Sequence, residues 1–69
     1  MNIGKGIKHA RNSKGISQLG LGLAIGNDSS YISRIENNQT EPSLKTILRI
    51  ATALEVDPLE LLEKIIREN

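Results

Sequence analysis

Apolar residues recur along this chain at the three- and four-residue spacing of helix faces, with polar and charged residues between them. Ile3, Ile7 and Ala10 share one face, separated by Lys5, Lys8 and Arg11, and Lys14-Gly15 supplies a cationic last turn followed by a glycine stop. Ser17 is a good N-cap for a second helix whose inward positions are Leu21, Gly22 and Ile25. Gly26-Asn27-Asp28 is turn chemistry, and Asp28 caps a third helix running through Glu36 with Ile32 and Ile35 inside. The stretch 37–42 is a loop in which Asn38 suits the left-handed cap conformation. Ser43 then caps a fourth helix with Leu44, Ile47, Leu48, Ala51 and Leu54 inside. Asp57-Pro58-Leu59-Glu60 gives an N-cap, an N1 proline and an N3 carboxylate for a fifth helix, closing near Arg67. The pattern predicts an all-α fold: a compact five-helix domain over residues 1–69, with short turns and no internal repeat.

Residues 19–26 resist this pattern, because Leu19, Leu21, Leu23 and Ile25 alternate with small residues at the strand period. Gly20 and Gly22 would each cost a helix about 1 kcal/mol relative to alanine. No second alternating apolar run exists to pair with, and a lone strand is not stable. The segment is therefore expected to be a helix, and the least stable of the five.

At 69 residues the chain is one domain at most, and a domain of that size buries only about 60% of the surface its unfolded form exposes. Cys, Trp and Phe are absent, and Tyr31 is the one aromatic residue. There is no disulfide framework, thiolate zinc site or cysteine nucleophile. With His9 the only histidine, metal sites rich in His are excluded, no catalytic residues are assigned and no cofactor is expected. One tyrosine cannot build the stacking platforms that hold single-stranded nucleic acid. No apolar run approaches the roughly 20 residues needed to span a bilayer, and no signal core follows the first charges, so a cytoplasmic location without membrane contact is expected.

The net charge of +1 conceals an asymmetry: residues 1–35 carry +4 and residues 36–69 carry −3. A basic half beside an acidic half hints at nucleic-acid contact, while ordinary scatter of surface charge would produce the same imbalance. Segment 17–36 sharpens the hint. It has the layout of a helix-turn-helix, in which two short helices cross closely at a small residue (Gly22) around a turn glycine (Gly26). Ile32 and Ile35 anchor the second helix from within, leaving Ser29, Ser30, Ser33 and Arg34 able to hydrogen-bond outward.

These residues resemble a known family. Ile16-Ser17-Gln18, Leu21-Gly22, Ile25-Gly26, the run from Tyr31 to Asn37 (YISRIEN), Pro42-Ser43-Leu44 and Ala51, Ala53 and Leu54 are similar to the phage-repressor/Cro-type helix-turn-helix proteins, the XRE family. The likeness extends from about Ile3 to Leu62, and it is also similar to small restriction-modification controller proteins. Five positions depart from the family pattern. Leu19, Gly20 and Leu23 stand where glutamate is usual, Gly6 replaces a frequent basic residue, and Asn38 replaces a glycine.

The resemblance implies a third helix lying in the major groove of double-stranded DNA. Ser29, Ser30 and Arg34 are then the candidates for base contact, Arg34 foremost, because arginine can hold guanine O6 and N7 bidentately. Ser29 and Ser30 are equally well explained as first-turn helix residues, and Arg34 as a surface arginine paired with a carboxylate. Gln18, in the first turn of the second helix, is a candidate for base or phosphate contact, or a solvated glutamine. Candidates for phosphate contact are Tyr31, Ser33, Asn37, Gln39, Thr40 and Lys45, with core burial the competing assignment for Tyr31. Arg11 and Glu36 match the family's structural ion pair.

Leu59, Leu62, Ile65 and Ile66 cover more than one stripe of the last helix. They are either a homodimer interface, on a dimerisation helix at about 58–67, or the completion of the core. The leading function is a sequence-specific transcriptional regulator, most simply a repressor acting as a dimer on a pseudo-palindromic operator, with no small-molecule effector evident. The alternative is a protein-binding adaptor of the antitoxin or coactivator-bridging type.

Overall fold

Helix boundaries follow from local side-chain chemistry at both ends of each segment. In the computed structural model, which describes residues 2–67, the elements are α1 (Ile3–Ser13), α2 (Gln18–Ala24), α3 (Ser29–Glu36), α4 (Leu44–Ala53) and α5 (Pro58–Arg67). Met1, Glu68 and Asn69, which the expected 1–69 span includes, lie outside the described residues. The side chains of Asn2, Ser17, Asp28 and Ser43 each accept from the backbone N–H three residues on, satisfying an orphan donor of the first turn. Asp57 Oδ1 satisfies a first-turn donor of α5 from two residues on, Leu59 N, at 2.8 Å.

The first four helices share one stop. Gly15, Gly26, Asn38 and Glu55 take positive φ, and each following residue donates its N–H back to the helix: Ile16 to Arg11 O, Asn27 to Gly22 O, Gln39 to Arg34 O and Val56 to Ala51 O. This is the Schellman arrangement, which reverses the chain within about two residues. Repeated four times, it folds a short chain into a ball with a Cα radius of gyration of 10.3 Å.

Ile7, Leu21, Ile32, Ile35, Ile50, Leu54, Leu61 and Ile65 are fully buried and form a wholly aliphatic core. α1 packs against α5 and α3, α2 against α3, and α4 against α5 and α2. The alternating segment is a helix, as the absence of a strand partner requires: α2 is held by its Ser17 cap and by Leu21 and Gly22 turned inward. Gly22 lies where α2 meets the start of α3, and a Cβ there would fall 2.4 Å from the Asp28 carbonyl oxygen. No helix among the described residues is long and apolar enough to cross a membrane.

Three expectations are corrected. Ile65, assigned to a dimer surface, is 1% exposed and packs into the monomer core. The cause is Gly6, whose missing side chain lets the backbone of α5 come so close that a Cβ would sit 2.7 Å from Ile65 Cα. Gly6 is thus a packing residue between α1 and α5, not simply a lost basic contact. Leu44 and Leu48, expected inside α4, are exposed, Leu44 at 64%. Ile50, not foreseen, faces the core beside the expected Ile47 and Ala51, because α4 turns only one narrow stripe inward.

Candidate nucleic-acid interface

The outward side of α3 is built from the residues that the core does not claim. With Ile32, Ile35 and Glu36 buried, the helical period turns Ser30, Arg34 and Asn37 to solvent, flanked by half-buried Ser29, Tyr31 and Ser33. Asp28 Oδ1 accepts from Tyr31 N at 2.9 Å and fixes the first turn. Asn37 Nδ2 donates to Ser33 Oγ at 3.3 Å along the same face. Tyr31 packs against the core while its ring also receives the Arg34 guanidinium, whose central carbon lies 5.9 Å from the ring centroid. Among the described residues Arg34 makes no ion pair and no hydrogen bond through its side chain, so it is not the carboxylate-paired surface arginine of the competing assignment.

Behind this face sits a closed polar network. Glu36 Oε2 accepts from Arg11 Nε at 2.7 Å, and Oε1 accepts from Arg11 Nη2 at 3.1 Å and from Gln18 Nε2 at 3.0 Å. Arg11 Nη1 donates to the Ile16 carbonyl at 2.8 Å. The Glu36 side chain is only 2% exposed. One carboxylate therefore ties α1, the α1–α2 turn, the start of α2 and the end of α3 together, and it fixes the angle between the two helices of the helix-turn-helix. Gln18, a candidate for DNA contact, has its amide engaged in this network.

The remaining candidates are scattered. Gln39 and Thr40 line a shallow cavity of about 250 Å³ with Ile3, Asn38 and Glu41. Lys45 is exposed in the first turn of α4, away from the α3 helix in sequence and unpaired among the described residues. Leu59 is 75% exposed and Ile66 is also exposed, whereas Leu62 is half-buried against the core.

Two positioning residues went unforeseen. Asn38 was expected to supply only a left-handed stop, yet its Oδ1 accepts from Gly4 N at 3.1 Å and its Nδ2 donates to Asn2 Oδ1 at 3.0 Å. The loop leaving α3 is thereby stitched to the start of α1. Arg49 Nη2 donates to the Ile25 carbonyl at 2.9 Å, satisfying an orphan acceptor at the end of α2. All three bonds join residues more than twenty positions apart, where local pattern carries no signal.

The crossing of α2 and α3 at a glycine, the capped α3 and the buried carboxylate behind it define a helix-turn-helix. A helix-turn-helix family model matches residues 7–61, and the chain belongs to that family. It is 38% identical over 63 residues to the HTH-type transcriptional regulator SinR of Bacillus subtilis, a match covering 90% of this chain and 57% of that protein. Among solved structures it is similar to the restriction-modification controller protein C.AhdI from Aeromonas hydrophila, at 41% identity over 86% of each chain with a TM-score of 0.80. It is also similar to the P22 c2 repressor, solved in complex with a synthetic operator, at 31% identity over 88% of this chain and 92% of that one, TM-score 0.75. The chain spans between 57% and 61% of the length of the curated relatives it matches.

Proposed function

We propose that this chain is a sequence-specific double-stranded DNA-binding transcriptional regulator, acting as a repressor through α3 in the major groove. The observation that carries the reading is the outward face of α3: Ser30, Arg34 and Asn37 are exposed together, with the arginine fork engaged by no carboxylate among the described residues. Five free N–H donors in a planar fork match the O6 and N7 acceptors of guanine, worth about 1–3 kcal/mol of discrimination at one base pair. Ser29 and Ser33 flank this face, and Asn37, Gln39, Thr40 and Lys45 supply phosphate contacts that position the helix without reading sequence. Similarity to the operator-bound P22 c2 repressor and to SinR supports the same assignment.

Leu59 and Ile66, with the edge of Leu62, form an exposed apolar stripe on α5 that suits a two-fold contact between copies. Such a homodimer sets two reading helices about 34 Å apart, one turn of the duplex. A location in the cytoplasm, with the DNA it regulates, goes with this proposal.

The test is selection of bound sequences from a pool of random duplex DNA, repeated with Arg34→Ala. The unaltered protein is expected to enrich an inverted repeat with half-sites about 10 base pairs apart, and the variant to lose preference at one position in each half. Enrichment of single half-sites would remove the dimer. An unchanged preference in Arg34→Ala would remove its role as reader. No enrichment at all would favour the protein-binding alternative, to which the exposed Leu19 and Leu23 on α2 then become the natural surface.

A further inference from the structure

Arg34 and Tyr31 stand three residues apart on α3, a spacing that places side chains over one another on a helix. The tyrosine is held from two directions: its N–H is bonded to Asp28 Oδ1 at 2.9 Å, and its ring is half-buried against the aliphatic core. The arginine has neither restraint. It is exposed, and its one interaction among the described residues is the Tyr31 ring face, 5.9 Å from guanidinium carbon to centroid. That distance falls within the roughly 6 Å over which a cation is drawn to a ring face. A contact through the ring leaves every N–H of the fork available, which a salt bridge would not.

We propose that Tyr31 is a positioning residue for sequence selectivity: its fixed ring restrains the Arg34 guanidinium with the whole donor fork free to meet a base pair. The proposal rests on the DNA-reading function assigned above and adds to it a division of labour within α3. Arg34 touches the base, and Tyr31 acts through Arg34 rather than only as an independent phosphate contact. An arginine free in solution loses rotamer freedom when it docks, whereas one already laid on a ring loses less. The effect is confined to the base pair that Arg34 reads, so it appears as lost discrimination rather than as uniform loss of affinity.

The experiment uses the duplex that the unaltered protein selects and the same duplex with the Arg34-dependent base pair exchanged. Binding to both is measured for Tyr31→Phe and Tyr31→Leu, each with Arg34 and with Arg34→Ala. Tyr31→Phe keeps the ring and is expected to keep the discrimination. Tyr31→Leu is expected to lower it about 2- to 5-fold, the equivalent of an exposed cation–π contact. In the Arg34→Ala background the same change is expected to leave discrimination unaltered. Equal losses with and without Arg34, no loss in Tyr31→Leu, or a loss in Tyr31→Phe as large as in Tyr31→Leu would each overturn the proposal. Should Tyr31→Leu not fold, the unaltered protein decides: the Arg34 side-chain protons should show upfield ring-current shifts in the nuclear magnetic resonance spectrum, and random-coil shifts would overturn it. Failure of the selection to yield any preferred duplex would instead overturn the DNA-reading function, and this proposal with it.

Discussion

Arg34 and Glu36 stand two residues apart at the end of one helix and use charge in opposite ways. Glu36 is buried, and both of its oxygens accept, three donors in all from two side chains. Arg34 is exposed and, among the described residues, gives none of its donors to the fold. The charge that holds the fold is saturated by the fold, and the charge proposed to read DNA keeps its donor fork open. Helical rotation of about 200° between the two positions is enough to separate these roles. The same contrast runs through α3 as a whole, whose inner face is isoleucine and glutamate and whose outer face is serine, arginine and asparagine.

The largest test of this contrast is removal of the partner of the buried charge. Arg11→Met strips Glu36 of both guanidinium contacts and leaves it only the Gln18 amide. An uncompensated buried charge costs about 3–5 kcal/mol. Urea denaturation should show a loss of that order for Arg11→Met and a smaller loss for Arg11→Met with Glu36→Leu, in which no charge is stranded. Additive losses would mean that the pair does not act as a unit. On the other side of the comparison, Arg34→Ala removes only an exposed contact with the Tyr31 ring and should change stability by no more than about 0.5–1 kcal/mol.

Gln18 lies on the boundary between the two roles, and its substitution gives an intermediate effect. Its amide donates to Glu36, so Gln18→Ala removes one neutral-to-charged hydrogen bond from a carboxylate that keeps its arginine. A stability loss of about 1–2 kcal/mol is expected, between that of an ordinary and of a charge-assisted bond. If Gln18 belongs to the network alone, DNA affinity measured well below the unfolding transition should hardly change. A large loss of affinity with little loss of stability would move Gln18 to the reading side and blur the contrast drawn above.

Much of this architecture is legible in the sequence because its determinants are local. Ser17, Asp28, Ser43 and Asp57 cap their own helices within three residues, and Gly15, Gly26 and Asn38 stop helices at their own positions. The segment 19–26 is a helix against its alternating pattern because the Ser17 cap and the Gly26 stop bracket it and no strand is there among the described residues to pair with it. What escaped the sequence is settled between elements. Ile65 and Ile66 are equally apolar neighbours, and only the close approach allowed by Gly6 decides which one α1 covers. Leu44 and Leu48 fit an inward stripe as well as Ile47 does until the position of α5 is known. Arg49 reaches Ile25 across 24 residues, and nothing near it in the chain announces the bond. At the candidate site, the makeup of the α3 face follows from helical period alone, whereas the engagement of Gln18 by Glu36 requires three elements to be in place.

A further small effect separates two residues that share a backbone role and differ in what the side chain does. Asn38 and Glu55 both hold positive φ, 57° and 55°, as helix stops. Left-handed backbone costs an ordinary L-residue about 1–2 kcal/mol, and glycine avoids this at an entropic penalty of roughly 0.5–1 kcal/mol in the unfolded chain. The Glu55 side chain is exposed, and no hydrogen bond or ion pair of it stands among the described residues. Glu55→Gly should therefore raise stability by about 0.5–1 kcal/mol. Asparagine tolerates the conformation better to begin with, and Asn38 also bonds to Gly4 N and Asn2 Oδ1. Asn38→Gly gives up both contacts, each worth about 0.5–1.5 kcal/mol when made, and should be neutral or destabilising. Paired thermal melts decide the matter. If both glycine variants were stabilised equally, the stitch between α3 and α1 would contribute nothing, and Asn38 would be a helix stop and no more.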